Sequence, residues 1–245
     1  MTRSPMRRAA TLRSRRLLCS APVVLTGLLC GCPNPNTYTV PRTLDPGDMQ
    51  ATLSPEIFAF NYKGGAGSVL GATPTAPSFG LRYGVSDYIE VGGRLSSLFS
   101  PTVDGKIQLV RGAVDVAIDP GAQLLHLFVQ GSSQTEFVLE LYGPVLVGIN
   151  LSPTVTLVAS PGVGYALATS RLASSSSNAE IAAGAGGFTG RIGFGVDIRT
   201  GEHFALHPEV TFMRVLDDAQ TFMGVVGLGL NMGAMPNYSD REPKE

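Results

Sequence analysis

The chain has no tryptophan, only three cysteines and three histidines, and few charges. Asp, Glu, Lys and Arg make up 15% of its 245 residues, against ~25% in ordinary soluble domains. Beyond the N-terminus it has no run of 18 or more apolar residues, which excludes a helical membrane protein. Scarce charge beside 44% hydrophobic residues excludes a disordered chain. The length accommodates one domain. A mean hydropathy of +0.18 without a helical span leaves two architectures: a β-rich globular core, or a β-barrel in a bilayer.

What the sequence does have begins with an address. Residues 1–31 carry Arg3, Arg7, Arg8, Arg13, Arg15 and Arg16, no acid, and then an apolar run from Leu17 to Leu29. A basic start and a short apolar stretch predict a secretory signal peptide. Ser14 to Leu18 also faintly resembles a twin-arginine signal. The segment ends Leu29-Cys30-Gly31-Cys32. This resembles a bacterial lipobox, although Cys30 stands where a small residue is usual. The resemblance implies cleavage before Cys32 and a covalent lipid on its sulfur, with no other cofactor. The other reading is an ordinary cleavage site with Cys32 as a free or disulfide-bonded thiol. Cleavage leaves one cysteine, too few for an internal disulfide or a cysteine metal cluster.

Loss of six arginines from 18 basic residues leaves 12 against 19 acids, a net charge of −7. That balance, with no basic run downstream, gives no electrostatic reason to bind nucleic acid. Pro33-Asn34-Pro35-Asn36 reads as a flexible tether, and Pro46-Gly47 as the turn before the first strand. The expected organisation is a signal peptide over 1–31, a lipidated tether over 32–47, a β-domain over 48–233 and a polar tail over 234–245.

The β-domain shows itself by alternation. Phe79, Leu81, Tyr83 and Val85 alternate with Gly80, Arg82 and Gly84; Ile89, Val91, Gly93 and Leu95 alternate with Glu90, Gly92, Arg94 and Ser96. Matching faces across the hairpin predicts a three-residue loop at 86–88. Val85 then opposes Ile89, Tyr83 opposes Val91, and Gly80 opposes Arg94. Downstream, Phe188, Ile192, Phe194, Val196 and Ile198 share one face, and Arg191, Asp197 and Arg199 share the other. A three-residue turn at 200–202 predicts Ile198 opposite Phe204 and Gly193 opposite Glu209. A parity change near Val110-Arg111-Gly112 predicts a bulge.

Segments between breaks number ten: 50–62, 77–85, 89–97, 105–118, 123–131, 137–151, 154–168, 181–199, 203–215 and 221–232. An even count, with short turns alternating with longer loops, predicts an antiparallel up-and-down transmembrane β-barrel of about ten strands, within a range of 8–12. The 80–94 hairpin and the glycine-rich last strand make the chain resemble small outer-membrane β-barrel proteins of Gram-negative bacteria. Two departures are the polar residues after Pro236 and the thin aromatic complement for an interfacial girdle.

A soluble, lipid-anchored β-sandwich that binds a hydrophobic or protein ligand is the rival reading, since a half-buried sheet alternates too. The second face, however, is mostly Gly, Ala and Ser with sparse charge, which suits a narrow lumen. In the barrel, Arg82, Glu90, Arg94, Arg191, Asp197 and Glu209 are expected to face inward. There they plug the lumen by pairing, or select solutes in a narrow channel. His203 and His207 lie ~13 Å apart along a strand and cannot share a metal ion directly. Nothing singles out a nucleophile, so no enzyme is expected.

The expected role is structural or passive, as a barrel lipoprotein of the bacterial outer membrane anchored on the periplasmic side. Its loops lie outside and both termini in the periplasm. Its partners are outer-membrane lipid and the barrel-insertion and lipoprotein-processing machinery.

Overall fold

The computed structural model describes residues 34–64, 67–96, 100–128, 135–172, 180–216 and 221–238. The expected signal peptide and Cys32 lie outside the described residues. Thirteen strand segments run β1 (Met49–Ser54), β2 (Glu56–Gly64), β3 (Gly67–Pro74), β4 (Ser78–Ser86), β5 (Ile89–Ser96), β6 (Ser100–Val110), β7 (Val114–Ile118), β8 (Gly121–Phe128), β9 (Thr135–Ser152), β10 (Val155–Leu172), β11 (Glu180–Arg199), β12 (Phe204–Val215) and β13 (Thr221–Gly233).

They form ten staves. β1 and β2 are one stave interrupted at Pro55, β3 and β4 a second, and β7 and β8 a third interrupted at Asp119-Pro120. The remaining seven segments are one stave each. Each stave pairs antiparallel with its neighbours, and β13 returns to β1 (Thr52 opposite Asn231) and β2 (Val225 opposite Phe58), closing the sheet. Closure gives every stave a partner on both sides, although the β3 portion of the second stave is hydrogen-bonded only to β2, above the short β5. A two-sheet sandwich is therefore excluded.

Alternation sorts the side chains as the two faces demand. Phe79, Val91, Phe188 and Phe194 are 48%, 45%, 58% and 48% exposed on the outer surface. Arg82, Glu90, Thr102, Lys106, Asp115, Thr156, Asp197, His207 and Thr211 are buried inside. The polar residues thus form the interior and the apolar ones the exterior, the reverse of a water-soluble domain.

The wall is uneven. β5 has 8 residues, whereas β9, β10 and β11 have 18, 18 and 20. About 9–11 residues cross a bilayer, so the β9–β11 side stands well above the β5–β6 side. The connections at 87–88, 111–113, 153–154 and 200–203 lie at the turn end, with both ends of the sheet. The opposite, loop end carries the connections whose residues are only partly described.

Several expectations about register are corrected. In the first hairpin Tyr83 does oppose Val91 and Gly80 does oppose Arg94, but Ser86, not Val85, meets Ile89. A bulge absorbs the extra residue and leaves a two-residue turn at Asp87-Tyr88. At the second hairpin Ile198 opposes Leu206 and Gly193 opposes Thr211, two residues from the expected register. The turn there is 200–203, closed by the Thr200 N–H donating to the Phe204 carbonyl at 3.0 Å, so His203 sits in the turn rather than on a strand. A shift of two conserves the faces, which is why parity alone could not detect it.

The bulge expected near 110–112 falls between Gln108 and Val110, and 111–113 form the turn between β6 and β7; the break expected at 119–122 lies within one stave. Pro120 has no N–H to give to the ladder. Its carbonyl still accepts from Gly105 at 2.9 Å, and the Asp119 N–H donates to Pro144 at 3.0 Å, so pairing bridges the break. The expected loop over 63–76 likewise holds a strand, β3.

The N-terminal segment departs most from expectation. Residues 34–44, read above as flexible tether, lie within the barrel interior: Tyr38, Arg42, Thr43 and Leu44 are each at most 1% exposed. Residues 234–238 of the expected polar tail fold over the turn end, where Tyr238 is buried.

Candidate functional site

The polar interior is the place where this fold gathers its chemistry. Near the turn end, Arg82 pairs with Glu90, with Asp104 at 2.6 Å and with Asp119 at 3.3 Å. Lys106 Nζ lies 3.0 Å from Glu90 Oε1 and donates to the Val40 carbonyl at 2.9 Å and the Arg42 carbonyl at 3.1 Å. Glu90 in turn accepts the Leu44 N–H at 2.9 Å. Two cations and three carboxylates from four staves thus form one cluster, in which Lys106 and Glu90 hold the N-terminal segment by its backbone. Buried charges are tolerable only when paired in this manner.

Arg42, carried by the segment itself, makes a bidentate ion pair with Asp115: Nε to Oδ2 at 3.0 Å and Nη2 to Oδ1 at 3.1 Å. Its Nη1 donates to the Asn237 carbonyl at 2.7 Å. The guanidinium also lies 4.1 Å from the ring centroid of Tyr238, and that of Arg199 lies 3.8 Å from the same ring. Such contacts add cation–π attraction in a desolvated place. One residue thereby ties the segment to both the wall and the C-terminal tail. Burial is the main cause that pushes the Tyr238 hydroxyl up to about 12.

Higher up, the Glu209 carboxylate accepts the backbone N–H of Thr37 at 2.9 Å and of Tyr38 at 2.6 Å. Arg94 donates to the carbonyls of Asn36 and, at 2.9 Å, Asn34. The Asn34 side chain reaches Glu56, Ser78 and Ser96. The glycines of β13 make room for this path. A Cβ on Gly227 or Gly229 would come within 3.0 Å of the Tyr38 ring.

All six expected inward charges are placed. Arg82, Glu90, Arg191, Asp197 and Glu209 are buried, and Arg94 is half-buried with its guanidinium on the N-terminal segment. They do not form one constellation. Arg82 and Glu90 pair directly; Asp197 pairs with Arg199 at 2.8 Å and touches His207 at 3.3 Å; Arg94 and Glu209 grip backbone. Arg191 opposes Met213 across the hairpin, and its Nε and Nη2 find no hydrogen-bond partner among the described residues. It lies 5.4 Å from the Tyr142 ring centroid, beside a cavity of about 20 Å³. Such a volume suits about one water molecule.

Sequence reading missed Arg42, Asp104, Lys106 and Asp119. Lys106 was findable, since Thr102, Asp104, Lys106 and Gln108 alternate with Val103, Ile107 and Leu109. Among the described residues no group of three or more His, Cys, Asp or Glu side chains is placed to hold a metal ion.

No protein-family profile matches the chain, and no curated protein matches it. Solved structures do resemble it. Ail, the attachment invasion locus protein of Yersinia pestis, is 9% identical at a TM-score of 0.43, covering 77% of this chain and 99% of its own. The translocator domain of the autotransporter NalP from Neisseria meningitidis is 11% identical at 0.41, covering 88% and 94%. The outer membrane protease OmpT from Escherichia coli is 6% identical at 0.41, covering 78% and 98%.

Proposed function

We propose that this protein is an outer-membrane barrel lipoprotein with a structural, non-catalytic role, its lumen closed by its own residues 34–44. The observation that carries the reading is the inversion of polarity. An apolar belt covers the outside of a closed sheet while ion pairs and backbone hydrogen bonds fill the inside. In water, so continuous an apolar surface far exceeds the few hundred Å² that monomeric soluble proteins expose. In a bilayer the same surface is the solvated one, and closure pairs each stave with a neighbour on both sides.

Occupancy of the lumen favours a plug over a channel. Ten staves enclose a narrow interior. Here it is crossed by a peptide that the wall holds through Glu90, Lys106, Arg94 and Glu209. Lipidation of Cys32 supplies the proposed anchor, placed after the signal cleavage that the Leu29-Cys30-Gly31-Cys32 sequence implies. Outer-membrane lipid, the lipoprotein-processing enzymes and the barrel-insertion machinery are the partners this reading requires.

Purified mature protein is expected to need detergent and to migrate differently in gels before and after boiling. Solubility without detergent overturns the membrane reading. In planar bilayers the intact chain is expected to be silent, and a variant lacking 34–44 is expected to conduct. Equal conductance of the two overturns the plug.

A further inference from the structure

The path of the N-terminal segment has a direction, and β5 measures it. Leu44 is bonded to Glu90, at the turn end of β5; Asn36 and Asn34 are bonded to Arg94; and Asn34 Nδ2 reaches Ser96 Oγ at 3.5 Å, at the loop end. From Glu90 to Ser96 is six residues, ~20 Å of strand at ~3.3 Å per residue. With a stave tilt of 35–45° this is ~15 Å along the barrel axis. The segment therefore enters at the loop end and descends to the turn end, where Asp45 to Asp48 lead into β1. The backbone confirms the lower exit: Gly47 donates to Gly84 at 2.8 Å, and Gly84 to Asp48 at 3.0 Å.

Cys32 precedes Asn34 by two residues, which reach ~7 Å at full extension. It cannot return ~15 Å to the turn end while Asn34 stays bonded to Glu56 and Ser96. Acyl chains cannot rest among the interior charges, nor can they pass through a hydrogen-bonded wall. The open route is over the rim, and the rim is lowest where β5 and β6 end at Ser96 and Ser100.

We infer that the seated segment delivers the N-terminus of the mature chain to the extracellular end of its own barrel, so that the lipid on Cys32 enters the outer leaflet over the β5–β6 rim. This rests on the barrel and lipidation readings above. The periplasmic anchor of an ordinary lipoprotein requires the segment to be undocked. The barrel must close around the segment during assembly, because an acylated end cannot later be threaded through the packed interior.

The test uses full-length protein in a Gram-negative host with three single-site markers. An epitope follows Cys32; a second version carries the same epitope in the 173–179 connection, and a third at 153–154. The expected result is antibody binding to intact cells for the Cys32 and 173–179 epitopes, and only after permeabilisation for 153–154. A Pro33→Lys variant in a Lys63→Arg background, labelled with a membrane-impermeant amine-reactive biotin that is mapped to residue 33 by mass spectrometry, repeats the first measurement. Exclusion of both N-terminal probes from intact cells, with the 173–179 epitope reached, overturns the inference and leaves the barrel standing. Exclusion of the 173–179 epitope as well overturns the assigned orientation. Mass spectrometry of the N-terminal peptide reads acylation separately; an unmodified Cys32 overturns the lipid part of the inference and leaves the path of the segment to the surface probes.

Discussion

Arg42 and Asp115 meet through two parallel hydrogen bonds at 3.0 and 3.1 Å, both side chains at most 1% exposed. Arg42 belongs to the segment and Asp115 to β7, so this pair joins plug to wall. Removing one partner of such a pair leaves an uncompensated buried charge and costs about 3–5 kcal/mol. Asp115→Ala is expected to undock residues 34–44 without unfolding the barrel. The measurement is trypsin cleavage after Arg42 in detergent, expected to accelerate, while heat-modifiable migration persists. Arg42→Met combined with Asp115→Leu, which lacks the trypsin site and is therefore read by chymotrypsin cleavage after Tyr38, is expected to be cut more slowly than Asp115→Ala, because no charge is then left unpaired.

Glu209 supplies a second, independent grip. Its carboxylate accepts two consecutive backbone N–H groups, from Thr37 and Tyr38. Hydrogen bonds to a charged acceptor contribute about 1.5–3 kcal/mol. Glu209→Gln keeps the shape and removes the charge. Intermittent single-channel openings are expected in planar bilayers where the parent chain is silent. A silent Glu209→Gln channel record, together with unchanged proteolysis at Arg42, shows that this carboxylate does not hold the segment.

How much of this was legible depends on which period carried the information. Outward Phe79, Val91 and Phe194 and inward Arg82 and Asp197 follow from alternation, and alternation survives any even register error. That is why the faces around Gly193 were right although its partner is Thr211 rather than Glu209. Turn placement failed where proline interrupts a stave. Asp119-Pro120 reads as a turn locally, yet pairing continues across it through Gly105 and Pro144. The plug was illegible for a deeper reason. Pro33-Asn34-Pro35-Asn36 has no period, and the Asn34 side-chain amide donates to groups 22 to 62 residues away. The clue that existed was in β13, where Gly227 and Gly229 vacate the inner face that Tyr38 fills.

Those glycines give a third prediction. Both stand on the inner face of β13, and a Cβ there would come within 3.0 Å of the Tyr38 ring. Gly229→Val places a branched side chain against that ring, while β-branched residues are otherwise well suited to strands. The barrel is expected to fold and remain heat-modifiable, with residues 34–44 displaced and Arg42 opened to trypsin. Gly143→Val serves as the control, since a Cβ at Gly143 meets nothing within 4 Å. Equal trypsin resistance in the two variants disproves the close approach of Tyr38 to β13.

The outer belt makes the most direct claim on the bilayer. Phe194 stands on β11 five residues above Arg199, where that stave ends at the turn side, and it is 48% exposed among other apolar side chains. At ~3.3 Å per residue and a tilt near 40°, five residues place it ~13 Å up, close to the middle of a ~25 Å apolar band. Arginine at a barrel's midplane costs about 2–4 kcal/mol, falling toward zero near the interfaces. Phe194→Arg is therefore expected to lower folding stability into phospholipid vesicles by that amount, and Phe204→Arg, at the turn-side end of β12, by much less. Denaturant titration of the vesicle-inserted protein reads both. Equal effects at the two depths mean that hydrocarbon does not surround Phe194, and a barrel in water would show that flat profile.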